Sequence, residues 1–319
     1  MFYKIMNGVQ KNWLEEFLDK RNLSINEVNG THLYHYNLKN DEYEQLQKLL
    51  QSCTDLIYKK EISFHELTQK LPYYSPLFVL YASYWWQKNY DGSNFTWENI
   101  FESLKFNVSK SYSVVERSLI TQNGFQFWNL PLVDNSKKFL GTISREAGLP
   151  QKIITESMGS IGTKLISIIR EVAEYDSHIV EGLLENKKKL FSNLYQNDVT
   201  FGLIKETIIE IIKIRQKISS NTAREAIIEL NTSYPDWKSV FPFSLDDDNA
   251  IKFFENLLGE AIQTKNKKEK QEQFEVIRTI TKNLAGYNLQ LSIKFPTKIP
   301  CLALLCALAQ KKPPAKLVE

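Results

Sequence analysis

PYYSPLFVLYASYWWQKNYDGSNFTWENIF, from Pro72 to Phe101, decides the fold class of this chain. From Pro76 to Tyr90 it contains no glycine and no second proline, and Leu77, Leu80, Tyr81, Tyr84 and Trp85 recur at helical spacing. Pro76 suits a first helical turn, where its missing N–H has no partner to lose. The spacing predicts a buried helix over 76–90, stopped by the turn chemistry of Asp91-Gly92. Thr96 is placed to cap a short helix that opens at Trp97.

Helical periodicity continues on both sides. Val9, Trp13, Phe17 and Leu18 mark a helix over 8–20, and Asp41 opens another that carries Tyr43, Leu46, Leu49, Leu50 and Ile57 on one side. Ser63 with Glu66 is a capping box. Val114, Leu119 and Phe125 predict a helix broken at Asn123-Gly124. Asn135 or Ser136 starts one that ends at Ala147, before Gly148-Leu149-Pro150. Residues 160–175 and 200–218 predict further helices. In the latter, Leu203, Ile204, Ile208, Ile211, Ile212 and Ile218 form an inner face, and Ile209 and Ile214 spill beyond it, which marks a central helix. Asp246, Asp247 and Asp248 precede an apolar helix. KNKKEK at 265–270 reads as a break before a helix in FEVIRTITKNLAGY. Strands are expected at 31–38 and near 288–295. No internal repeat is visible.

The fold expected is mostly α, an irregular multi-helix array or bundle with at most these two small β elements. An aromatic-rich part covers 1–130, a second helical part 131–295, and residues 296–319 hold a final apolar helix and a connector.

Composition sets limits on function. The 319 residues are 43% hydrophobic and 24% charged, with a net charge of +3, too small to signal nucleic-acid binding by itself. Cys53, Cys301 and Cys306 form no metal spacing and fit a reduced, cytoplasmic protein. The N-terminus lacks a signal-peptide core, and no apolar stretch is long enough to span a bilayer.

Strings that could carry chemistry are few. MGSIGTK at 158–164 has Gly162-Thr163-Lys164 where a phosphate loop needs Gly-Lys-Ser/Thr after a strand, so it reads as a helix start. His32 and His35 are separated by two residues in HLYHY, short of the three or four ligands a metal needs. Asp246–Asp248 fit a helix cap better than a cation site. Arg145 and Glu146 read as an ion pair at a helix end. No catalytic residue, cofactor site or metal site is assigned. Lys187, Lys188 and Lys189, with Lys265, Lys267, Lys268 and Lys270 and with Arg170 and Lys282, are the candidates for a phosphate-binding surface, although Glu185, Glu269 and Glu272 interrupt the runs. Tyr84, Trp85, Tyr90, Phe95 and Trp97 read first as core and second as an aromatic pocket.

Leu80-Tyr81-Ala82, Trp85-Trp86, Tyr90, Gly92, Trp97, Gly124, Trp128 and the run from Phe139-Leu140-Gly141 to Gly148-Leu149-Pro150 occur in an order that resembles the N-terminal region of large bacterial proteins. Those proteins are encoded in anti-phage defence islands, beside a big helicase in Druantia-type systems. Where that pattern has arginines after the Trp pair, this chain has Gln87-Lys88. The resemblance covers about residues 70–160. It implies a bacterial, antiviral setting and a partner that is a protein or a downstream domain, possibly a helicase. The expected function is a non-catalytic helical interaction domain. A nucleic-acid-binding module that uses the lysine clusters is the first alternative, and an effector or enzyme with an unrecognised site is the second. The final apolar run, Cys301–Ala309, is expected to pack on a downstream domain or a second copy.

Overall fold

A computed structural model describes residues 2–60, 62–90, 96–106, 114–131, 140–155, 160–172, 177–245, 248–272, 275–283 and 286–294. The first helices are α1 (Phe2–Asp19), α2 (Asn40–Lys60), α3 (Phe64–Lys70), α4 (Tyr74–Asn89), α5 (Trp97–Ser103), α6 (Val114–Phe127) and α7 (Leu140–Ala147). They are followed by α8 (Gln151–Thr155), α9 (Ser160–Val172), α10 (Ser177–Glu185), α11 (Asp198–Lys217), α12 (Ala223–Ser233) and α13 (Asp248–Glu272). Strands β1 (Glu275–Asn283) and β2 (Gly286–Lys294) form an antiparallel hairpin that pairs Glu275 with Lys294 and Asn283 with Gly286. The mostly α class expected from periodicity is what the chain adopts. No described helix is long and apolar enough to cross a membrane.

α4 is the axis of the first unit. Pro76 sits in its first turn, and residues all round it are buried, from Tyr74 to Ser83 and again at Trp86. α2, α6 and α7 pack against it. The core here is aromatic. Phe78 stacks on Trp97 with centroids 6.3 Å apart, Tyr43 stacks on Tyr81 at 5.0 Å, and Trp128 leans on Tyr36 at 5.0 Å. Burying these rings requires partners for their polar ends. Trp128 Nε1 donates to the Pro76 carbonyl at 3.0 Å. The Tyr43 hydroxyl donates to the Tyr81 hydroxyl, which donates to Ser103 Oγ at 2.9 Å.

The second unit packs an aliphatic helix, α11, together with an aromatic cluster of Trp237, Phe241, Phe243, Phe253 and Phe254. Ile208, Ile211 and Ile212 of α11 are at most 1% exposed, and α11 packs against α7, α10 and α13. Ile214 is buried and Ile209 packs against the core, which makes α11 the central helix anticipated. Asn197 caps it, its Oδ1 accepting from the Thr200 N–H at 2.8 Å. The two cores meet in α7, where Ile143 belongs to the first and Ala147 to the second, while Trp86 reaches from α4 into the second.

Four expectations are corrected. Residues 31–38 form no strand: Leu33–Tyr36 is a 3₁₀ turn with Leu33 and Tyr36 buried three residues apart. α6 runs unbroken through Asn123-Gly124. Gly124 is a crossing point, because a Cβ there would lie 2.7 Å from the Ser75 carbonyl oxygen and from both Val79 methyls. KNKKEK at 265–270 continues α13, as the high helix propensity of Lys and Glu allows. Where a helix was expected over 274–287, residues 275–283 are β1 and Gly286 and Tyr287 begin β2, in keeping with the β-branched residues of EVIRTITKN. The strand near 288–295 is β2. The Ser63 capping box is present, with Oγ accepting from Glu66 N–H and Glu66 Oε2 from Ser63 N–H, both at 3.2 Å. Asp91-Gly92, Asn135, Ser136, Asp246, Asp247 and the run 296–319 lie outside the described residues.

Candidate functional site

The 3₁₀ turn after His32 sends Leu33 and Tyr36 into the first core and leaves His32, Tyr34 and His35 at the junction of the two units. Asn37 closes the turn in a left-handed conformation, φ 47°. Arg21 clamps it from behind, donating to the Tyr36 carbonyl and, at 2.9 Å, to the Asn37 carbonyl. Its fork also meets Glu42 at 2.7 Å. Burial alone would push the Glu42 carboxyl up, but Arg21, the Lys39 N–H and Lys20 together hold it below the usual range. These charge-assisted contacts hold the turn in place beside the junction.

Gly148 ends α7 at φ +75°, and a Cβ at this position would collide with the Pro242 carbonyl oxygen and the Tyr34 ring. The next N–H, from Leu149, donates to that same Pro242 oxygen at 2.6 Å. The glycine lets the second unit close against the HLYHY turn.

At this seam, His32 Nδ1 donates to Glu146 Oε2 at 2.9 Å, and the Glu146 side chain is only 2% exposed. That hydrogen bond raises the His32 pKa, against the effect of burial. His35 moves the other way, to about 4, mainly through burial and then through His32. Burial, followed by the nearby Glu206 and Glu146 charges, pushes the Tyr34 hydroxyl up. Glu206 of α11 also titrates high. Solvent reaches its side chain, but the surrounding walls strip part of its hydration, and Arg145 and His32 offset only some of that cost.

Glu206 belongs to a groove that runs the length of α11, about 30 Å at 1.5 Å per residue. Three hollows make it up. One of about 230 Å³ lies among Gly141, Arg145, Asp198, Gly202 and Glu206. The next, about 310 Å³, shares Arg145, Leu203 and Glu206 and adds His32, Tyr34 and Glu210. The third, about 350 Å³, shares Glu210 and Val240 with it and is floored by Ile214, Leu230 and Trp237. Tyr234 and Val240 stand exposed on its rim, 37% and 47%. Lys213 pairs with Glu210 at 2.5 Å, and Lys217 lies over the Tyr234 ring at 5.7 Å. The groove therefore has an apolar end and a charged middle.

The sequence candidates are dispersed. Lys187 pairs with Glu171, Lys188 pairs with Asp198 at 2.6 Å, and Lys189 is exposed. Arg170 grips Glu260 through two nitrogens, at 2.8 and 3.1 Å. Lys265, Lys267, Lys268 and Lys270 fall on the last turns of α13, and Lys282 on β1. Tyr84, Trp85 and Trp97 pack with the first core, whereas Tyr90 stacks on Trp86 at 4.7 Å and packs with the second. Phe95 lies outside the described residues. Trp97 is 3% exposed and sits among Phe78 and Phe101, where it fills core. Gly162, Thr163 and Lys164 are inside α9. Among the described residues no group of three or more His, Cys, Asp or Glu could hold a metal ion. Cys53 is buried, its thiol pushed up to about 12 by desolvation, and its sulfur accepts from Gln10 Nε2 at 3.1 Å. The residues that sequence reading missed are Glu206, Glu210, Tyr234 and Trp237. Their signal was the polar stripe Glu206, Glu210, Lys213, Lys217 at helical spacing opposite the isoleucines of α11.

Comparison with known proteins divides the chain at the same seam. Residues 7–149 match the family model described as the YjiT N-terminal domain, and residues 156–270 match the YjiT second domain. Protein YjiT of Escherichia coli (strain K12) is 24% identical over 261 residues, 77% of this chain and 46% of that protein. The chain thus spans about half the length of this curated relative. No solved structure matches the chain.

Proposed function

We propose that this chain is the N-terminal pair of domains of a YjiT-like bacterial protein and serves as a non-catalytic docking module, with the α11 groove as its docking face. The observation that carries this reading is the continuity of the three hollows along α11, an apolar end running into a charged middle. The partner is the remainder of the same long protein, for which the half-length match to the relative leaves room. The resemblance over residues 70–160 supplies the setting, a cytoplasmic defence protein acting with a helicase.

The test is association in trans. The downstream half of the full-length protein, purified separately, is titrated against this chain by calorimetry. Binding is expected, and Glu206→Arg in the middle and Tyr234→Ala at the apolar end should each weaken it about tenfold or more. No association, or association indifferent to both substitutions, contradicts the proposal.

A nucleic-acid module stands second. Lys189 is exposed beside a cluster whose other two lysines are already ion-paired, which leaves few cations for phosphate. DNA binding at low salt that falls steeply with added salt, and is lost in a Lys187/Lys188/Lys189→Glu variant, would move this reading to first place.

A further inference from the structure

Tyr34 also lines a second cavity, of about 210 Å³, that touches no residue of α11. Both units build it. The 3₁₀ turn and its exit contribute Asn37 and Asn40, α4 contributes Tyr84, Gln87 and Lys88, and α8 contributes Gln151. Leu80 and Ile154 are buried apolar walls.

The chemistry of this lining is one-sided. Among the described residues that line it, Lys88 is the one charged residue, and there is no Asp or Glu. Lys88 Nζ is held 2.9 Å from Asn40 Oδ1, a neutral acceptor that also takes the Tyr84 hydroxyl at 3.3 Å. The exposed ammonium is therefore positioned, and among the described residues no carboxylate pairs with it. The Gln87 and Gln151 side-chain amides make no hydrogen bond among the described residues, so their donors and acceptors remain open. Asn37 is fixed by the Arg21 clamp, which makes that wall rigid. The cavity is smaller than the about 300–1,000 Å³ that drug-sized ligands occupy.

We infer that this cavity binds a small organic anion, its carboxylate or phosphate monoester against Lys88 and its hydroxyl-bearing body against the amides of Gln87 and Gln151. A ligand seated here touches both units and so stabilises their closed junction by mass action. The inference is independent of the α11 groove, with which the cavity shares only Tyr34.

Calorimetry and thermal melts of the whole chain test it with three probes: ribose 5-phosphate, glucuronate and uncharged ribose. At least one of the two anions is expected to bind one per chain at millimolar concentration and to raise the midpoint, while ribose does neither. Lys88→Gln should weaken that anion by at least about tenfold, since a charge-assisted hydrogen bond is lost. Gln151→Leu should weaken it as well, and Lys189→Gln, remote from the cavity, should not. Failure of both anions to bind, ribose binding as tightly as the anions, or affinity unchanged in Lys88→Gln and Gln151→Leu would each overturn the inference.

Discussion

The two cores solve the same packing problem with different side chains. In the first, rings carry hydrogen-bonding ends that must be met, so Trp128, Tyr43 and Tyr81 lock α4, α5, α6 and the 3₁₀ turn at fixed points. In the second, the isoleucines at the centre of α11 carry no polar side-chain atoms, and the rings of Trp237, Phe241, Phe243, Phe253 and Phe254 cluster with one another. Packing tied at named atoms specifies one arrangement, whereas the aliphatic face of α11 tolerates exchange of similar volumes. The difference bears on function. The first unit fixes the HLYHY turn, and the second presents α11 with a groove along its outer side.

Trp128→Ala should break this comparison most sharply. It removes a fully buried ring and leaves the Pro76 carbonyl without its donor, for a cost of about 3–5 kcal/mol. Because α4 and α7 belong to both cores, denaturant unfolding followed by tryptophan fluorescence and by circular dichroism should still coincide in one transition. Two separated transitions would show that the cores are independent.

Gly124→Ala is next. Its methyl meets the Ser75 backbone and Val79 across the α4–α6 crossing, so α6 must shift, at about 1–3 kcal/mol. A midpoint equal to that of the wild type would mean that the crossing is loose. Ile211→Val on the aliphatic face of α11 should cost only about 0.5–1.5 kcal/mol. A larger loss there than at Gly124 would erase the proposed contrast.

The smallest effect concerns pH. His35, ordinarily near 6.5, titrates near 4 in the folded chain, so the unfolded chain takes up the proton first. Stability at this residue is present above 6.5 and is lost as pH falls toward 4. His32 is shifted upward, so its contribution is full below 6.5 and fades as pH rises through its folded value. In the acid window the His32 contribution is constant, so of the two histidines only His35 sets a slope there. Thermal melts between pH 6.5 and 4 should show a shallower fall for His35→Asn than for the wild type, and an equal or steeper fall contradicts the assignment.

Much of the fold was legible because it is local. The Ser63 capping box, the buried α4 and the isoleucine face of α11 depend on neighbours a few residues away. Gly124 was misread because its reason lies in Ser75 and Val79, far along the chain. HLYHY looked like a strand because alternation over so few residues does not separate a strand from a 3₁₀ turn. In EVIRTITKN the β-branched residues outweighed an apparent helical period once β2 lay alongside. Of the junction, His32 with His35 and Arg145 with Glu146 are visible in the sequence as separate pairs. What the sequence hides is that residues 114 apart, His32 and Glu146, share a hydrogen bond. Glu206 escaped because attention went to the inner face of its helix.

The central claim is the proposal that a downstream part of a longer protein docks along α11. Hydrogen–deuterium exchange on the full-length protein and on this chain alone tests it directly. The account predicts that the full-length protein gains protection in residues 198–217 and 233–240, while residues 74–89 exchange alike in both. Equal exchange along α11 in the two proteins, or new protection confined to other faces, would contradict it.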